Sequence, residues 1–332
     1  MTQKSIQLLK LFIRIAVTTT LLILVFSKID REKFWQALTL AKWQYLIGVW
    51  AATIFIFLVN SFKLRLILKT QDFNVSVARI FGINAVTTLY GMIMPGMLSW
   101  AVKWYLLIRG TGKGAAVFSG LVYNQLSTTV IMMVFGLGTL ALTNPVKLGA
   151  ADAKNQFILP VVCLVLLVAV VAGAILLLSK RTGGKIIKAV NYLLRPLPAA
   201  IRQRAGQVLM QIAVFQTVKY RFHFLMALIS TIGTVVGGVI LYIFAAKAAN
   251  VNISIMVLVW LWTAIFILQR IPISIANLGV REATITSLLS LYSVEKSSAL
   301  LMSMLIFSST VFMVGIGAIY QLSGILRPNK SD

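Results

Sequence analysis

The residues best suited to chemistry in this chain are a few cations and one carboxylate set inside apolar segments. One segment runs Pro95-Gly96-Met-Leu-Ser-Trp-Ala-Val-Lys103, and another, 177 residues on, runs Pro272-Ile-Ser-Ile-Ala-Asn277-Leu-Gly279-Val-Arg281-Glu282. Each has a helix-breaking proline, then small residues, then a cation eight or nine positions on, and a long hydrophobic stretch follows both. A break in a helix leaves backbone N–H groups free, and these bind anions. A cation beside such an end makes a receptor for phosphate or carboxylate. Interrupted hydrophobic segments at matching places in two halves are the best sequence pointer to a transporter's binding site. The predicted substrate site therefore contains Lys103, Arg281, Glu282, Asn277, Gly279, Pro95, Gly96 and Pro272, with Asn84 and Gln125 lining the same space. Gly96 and Gly279 permit close backbone approach.

Each of these residues also has a plainer reading. Arg281 and Glu282 can form a structural pair, because intramembrane charges usually pair. Glu282 can also carry a proton, or sit as a helix N-terminal acid favoured by the dipole. Lys103 can snorkel to the interface beside Trp100, Trp104 and Tyr105. Asn84, Asn124, Gln125 and Asn277 can be helix-packing glue. Arg270 is one more cation at membrane depth.

The elements that must position these groups are helices in a bilayer. Hydrophobic residues make up 59% of the 332 residues and charged residues 11%, with a mean hydropathy of +0.93. Soluble chains carry roughly 25% charged residues, so the expected class is an all-α polytopic membrane protein. Six spans of about 20 apolar residues are predicted at 11–27, 43–62, 115–143, 157–179, 223–246 and 297–323. The first has cations ahead of it but no small-x-small cleavage site, and reads as an uncleaved transmembrane helix. Two Pro-broken stretches remain, 80–109 and 254–292.

Charge decides whether these two stretches cross. The segment 180–222 holds nine cations and no acid. It falls on the cytoplasmic side, as the positive-inside rule demands, only if 80–109 enters and leaves on one face. With both stretches as re-entrant hairpins, 21 Lys and Arg lie inside and 10 outside. The N- and C-termini are then cytoplasmic. The unit 43–143, with hairpin 80–109, and the unit 223–323, with hairpin 254–292, become inverted copies. Within the basic loop, Ile201, Ala205, Val208, Leu209, Ile212 and Phe215 recur at helical spacing. That pattern predicts an interfacial helix on the anionic cytoplasmic leaflet.

The net charge of +24 fits contact with anionic phospholipid on the cytoplasmic face. No aromatic–basic motif points to nucleic acid. Cys163 is the only cysteine and His223 the only histidine, so no disulfide, metal site or cofactor is expected. Metalloprotease, Walker A and nucleophile-elbow motifs are absent, and no enzyme activity is assigned.

The Pro95-Gly…Lys103 segment and Asn277-Leu-Gly-Val-Arg-Glu-Ala283 together resemble the lysylphosphatidylglycerol synthase transmembrane region family, also called flippase-like domain proteins. The resemblance spans roughly residues 8–325. It implies a helical domain with re-entrant segments that moves lipids or lipid-linked groups between leaflets. The best-known members add a soluble aminoacyltransferase; no such segment is read here, and lysyl transfer is not inherited. The family often has Pro-Gly-x-x-Gly-Gly-Asp, and a Glu-Arg pair in the next helix. Here those places read Pro95-Gly96-Met-Leu-Ser99-Trp100-Ala101 and Asn124-Gln125.

The resulting expectation is a flippase of the cell inner membrane. Its cargo would be a membrane lipid or polyprenyl-type amphiphile with an anionic headgroup, and a homo-oligomer is compatible with it. The alternatives are an intramembrane lipid-modifying transferase and a non-transporting envelope-assembly scaffold.

Overall fold

The computed structural model describes residues 18–20, 22–25, 27, 29–93, 96–109, 113–145, 157–180, 182–185, 192, 210–270 and 274–323. Pro95, Pro272, most of the predicted span 11–27 and more than half of the loop 180–222 lie outside the described residues. Among the described residues the fold is all-helical, with no strand.

The helices are α1 (Arg31–Thr39), α2 (Gln44–Lys69), α3 (Val77–Ile93), α4 (Gly96–Ile108), α5 (Gly114–Thr143) and α6 (Ile158–Leu178). They continue with α7 (Tyr220–Ala248), α8 (Ile255–Leu268), α9 (Val280–Ser290) and α10 (Lys296–Leu322). Of these, α2, α5, α6, α7 and α10 are long and apolar enough to cross a bilayer. They correspond to five of the six predicted spans.

Local sequence explains the boundaries. Asp30 caps α1, its carboxylate accepting from the N–H groups of Glu32 (2.9 Å) and Lys33 (3.4 Å). Such a cap contributes about 1 kcal/mol. The predicted span 43–62 is too short. Nothing in Ser61-Phe-Lys-Leu-Arg-Leu-Ile-Leu-Lys69 breaks a helix, so α2 runs on until Asp72 turns at φ 52°. Helix α5 stops where Asn144 adopts the left-handed conformation (φ 36°) and Pro145 follows, a common helix stop. Helix α7 contains a π turn over Thr231–Val236.

The stretches 80–109 and 254–292 become helix–break–helix units, α3–α4 and α8–α9. Their arms have 17, 13, 14 and 11 residues. At 1.5 Å per residue these lengths are about 25, 20, 21 and 17 Å, each short of the ~30 Å hydrocarbon core. The two arms of each unit pack on each other.

Packing between the units is reciprocal. Helices α2 and α7 lie against each other; α3 packs on α10, and α8 packs on α5. Each broken unit thus rests its first arm on the long helix that follows the other. Close approach is set by small residues. A Cβ at Gly233 would stand 2.6 Å from Val59, and one at Gly237 would stand 2.7 Å from Ile56, so α7 seats directly on α2. Peripheral α6 leans on α5 and buries only Cys163 fully.

The part of the predicted interfacial helix that is described packs on protein. Ile212 and Phe215 are buried, and Phe215 stacks on Tyr123 with ring centroids 4.2 Å apart. Residues 199–209 lie outside the described residues.

Candidate functional site

The tip of the second unit is built by a tight reversal between α8 and α9. Ala276, Asn277 and Gly279 take φ values of 50°, 57° and 82°. The left-handed region costs Asn and Gly least, and the Asn-Leu-Gly sequence supplies both. Asn277 Nδ2 reaches Gln269 O at 3.5 Å across the reversal. The Ile275–Asn277 turn packs against α3, so the second unit's tip meets the first unit.

Gly279 is the N-cap of α9, and its N–H donates to Glu282 Oε2 at 2.7 Å. The carboxylate three positions into the helix thereby reaches back to cap it. Its other oxygen, Oε1, pairs with the Arg281 guanidinium. Arg281 Nε donates to Ser303 Oγ at 3.2 Å, and that hydroxyl donates to Glu282 Oε1 at 3.4 Å. The guanidinium also lies 4.8 Å from the centre of the Phe307 ring, close enough for a cation–π contact. Arg281 and Glu282 are each 3% exposed. They form an enclosed ion pair that joins α9 to α10.

Lys103 is placed differently. It is half-buried on α4 and, among the described residues, has no ion-pair or hydrogen-bond partner. The charge it feels is that of Arg270, at the end of the α8 arm, close enough for the two to repel. Arg270 is exposed, with its guanidinium 4.3 Å from the centre of the Phe266 ring. Arg270 belongs to the second broken unit, whereas Arg281 of the same unit is enclosed with Glu282. The neighbouring aromatics are held by α5. Trp104 Nε1 donates to Gly114 O at 3.0 Å, and Trp100 sits edge-on to Phe118 at 5.4 Å.

Asn84 Nδ2 donates to Ser61 Oγ at 2.8 Å, and Gln125 Nε2 donates to Thr129 Oγ1 one turn along at 3.3 Å. Gly96 opens α4, whereas Pro95 and Pro272 lie outside the described residues.

One buried cation escaped the sequence reading. Lys63 is fully buried on α2, and its ammonium donates to Ser127 Oγ (2.8 Å), Thr128 Oγ1 (2.8 Å) and Asn124 O (3.3 Å). All three acceptors are neutral and lie on α5, and Asn124 Oδ1 is buried without a partner. The signal was the unbroken helical run beyond residue 62, which carries Lys63 into the bundle. Among the described residues no cluster of three metal-ligating side chains forms.

Neither curated proteins nor solved structures give a match to this chain. The model of the lysylphosphatidylglycerol synthase transmembrane region matches residues 11–318. Together with five apolar helices of spanning length, that match makes the chain a multi-pass membrane protein of the lysylphosphatidylglycerol synthase transmembrane region family.

Proposed function

We propose that this protein is a flippase that moves an amphiphile with an anionic headgroup between leaflets, holding the headgroup between Lys103 and Arg270. One observation carries the reading. Lys103 and Arg270, cations from different broken units, repel each other, and among the described residues neither has an acidic partner, while Glu282 is already committed to Arg281. An anion between them would relieve their repulsion and complete the pair of sites, as a buried or partly buried cation requires. The reciprocal packing of α3 on α10 and α8 on α5 supports an inverted repeat of two re-entrant hairpins, the arrangement that places transporter sites between repeats. The arm lengths, each under the core thickness, support re-entry rather than a full crossing by each arm. In this reading the protein sits in the cell inner membrane with both termini cytoplasmic. Asn277 and Gly279 shape the hairpin tip, and the Arg281–Glu282 pair holds it in place.

The test is lipid translocation in proteoliposomes, with fluorescent anionic and zwitterionic lipids run side by side. Headgroup-selective movement should fall about tenfold or more in Lys103→Ala and in Arg270→Ala, since a charge-assisted contact contributes ~1.5–3 kcal/mol. Equal movement of anionic and zwitterionic lipids would refute the proposal, and so would full activity in both variants.

A further inference from the structure

A cleft of about 810 Å³ opens between α5, α6 and the start of α7, away from the broken units. Its volume lies within the ~300–1,000 Å³ range of ligand pockets. Its lining changes character along its length, and the change runs the same way on every wall. On α5, Tyr123 and Ser127 give way to Val130 and Val134. On α6, Lys180 and Ser179 stand at one end and Val171 and Ala174 deeper in. The segment leading into α7 adds Gln216, Lys219 and His223 to the polar end. That end is fixed to the bundle: Gln216 Nε2 donates to Leu177 O at 2.9 Å, and the Tyr123 hydroxyl lies 2.6 Å from His223 Nδ1.

Lys180 and Lys219 are exposed at the polar end, and among the described residues no carboxylate lines the cleft. His223 Nε2 is buried without a partner. Behind the wall, Ser127 takes a hydrogen bond from Lys63, which brings a third cation close to this end. A long apolar slot with a cationic, donor-rich mouth is complementary to one kind of molecule, a bilayer lipid with an acyl chain and an anionic phosphate headgroup.

We propose that this cleft binds one anionic glycerophospholipid, its phosphate between Lys180 and Lys219 and an acyl chain along Val130, Val134 and Val171. The site is separate from the Lys103–Arg270 pair and does not depend on transport. A zwitterionic lipid fills the slot equally well but brings its own cation to the two lysines. At roughly fivefold for each lysine near a membrane surface, the two together amount to a preference of roughly thirtyfold.

The experiment is native mass spectrometry of the delipidated full-length protein titrated with dioleoyl-phosphatidylglycerol or dioleoyl-phosphatidylcholine. The first phosphatidylglycerol adduct is expected at roughly thirtyfold lower concentration than the first phosphatidylcholine adduct. The exposed double variant Lys180→Ala/Lys219→Ala should abolish that preference, whereas Lys247→Ala, an exposed lysine at the far end of α7, should keep it. Ala174→Trp fills the slot from a lipid-facing helix and should weaken the first adduct of both lipids at least tenfold. Equal affinity for the two lipids would overturn the proposal. An unchanged preference in the double variant, or unchanged binding in Ala174→Trp, would overturn it as well.

Discussion

Replacing Glu282 by Gln removes one charge from the enclosed pair while keeping the shape and the acceptor for the Gly279 N–H. Arg281 then remains 3% exposed, with Ser303 and the Phe307 ring as its other partners. Neither offers a negative charge. Leaving a buried ion without its partner costs about 3–5 kcal/mol. At ~2 °C per kcal/mol for a chain of this length, the apparent melting temperature in detergent should fall by roughly 6–10 °C. Arg281→Met/Glu282→Gln removes the second charge too, and packs an apolar side chain of similar length against Phe307. Because replacing a whole buried ion pair by apolar groups is often neutral or stabilising, this double variant should recover most of the loss. The assay is a thermal melt of the four proteins as a double-mutant cycle, which isolates the coupling between the two positions. A fall of less than ~2 °C for Glu282→Gln would refute the reasoning. A double variant that melts below both singles would do the same, because it would mean that α9 is not held by charge pairing.

Four further variants are tested in the same melt. Lys63→Met should melt no lower than the unaltered protein, because Ser127 and Thr128 already donate to Asn124 O and need no partner on α2; Lys63→Ala, which leaves a cavity, should cost about 2–5 kcal/mol. Gly317→Ala should destabilise by about 1–3 kcal/mol, because its Cβ would stand 2.7 Å from the Ala85 carbonyl carbon where α10 crosses α3, whereas Gly315→Ala, with nothing within 4 Å, should be silent.

Much of the candidate site can be read from local sequence. The Pro95 and Pro272 segments mark two interrupted hydrophobic stretches, and both appear as helix–break–helix units. Asn277 and Gly279 mark the reversal because few other residues take positive φ cheaply. Glu282 falls three positions after that glycine, the spacing of a helix-capping acid. Lys63 is harder to see. A cation near the end of an apolar run reads as interfacial, and only the uninterrupted helix to Lys69 carries it inside.

By itself the sequence determined what depends on composition and on neighbours within a turn or two: a helical membrane protein, the places where its helices break, and the caps and reversals at those breaks. Which charges meet was decided by the tertiary structure alone. Arg281 is enclosed because Ser303 and Phe307 arrive from α10, more than 20 residues away. Lys63 finds its acceptors on α5 only because α2 packs on that helix, and Lys103 feels the charge of Arg270 from more than 160 residues along the chain. The physical reason is range. Hydrophobicity and backbone conformation act locally along a chain, whereas the pairing of a buried charge depends on whichever helix packing brings beside it.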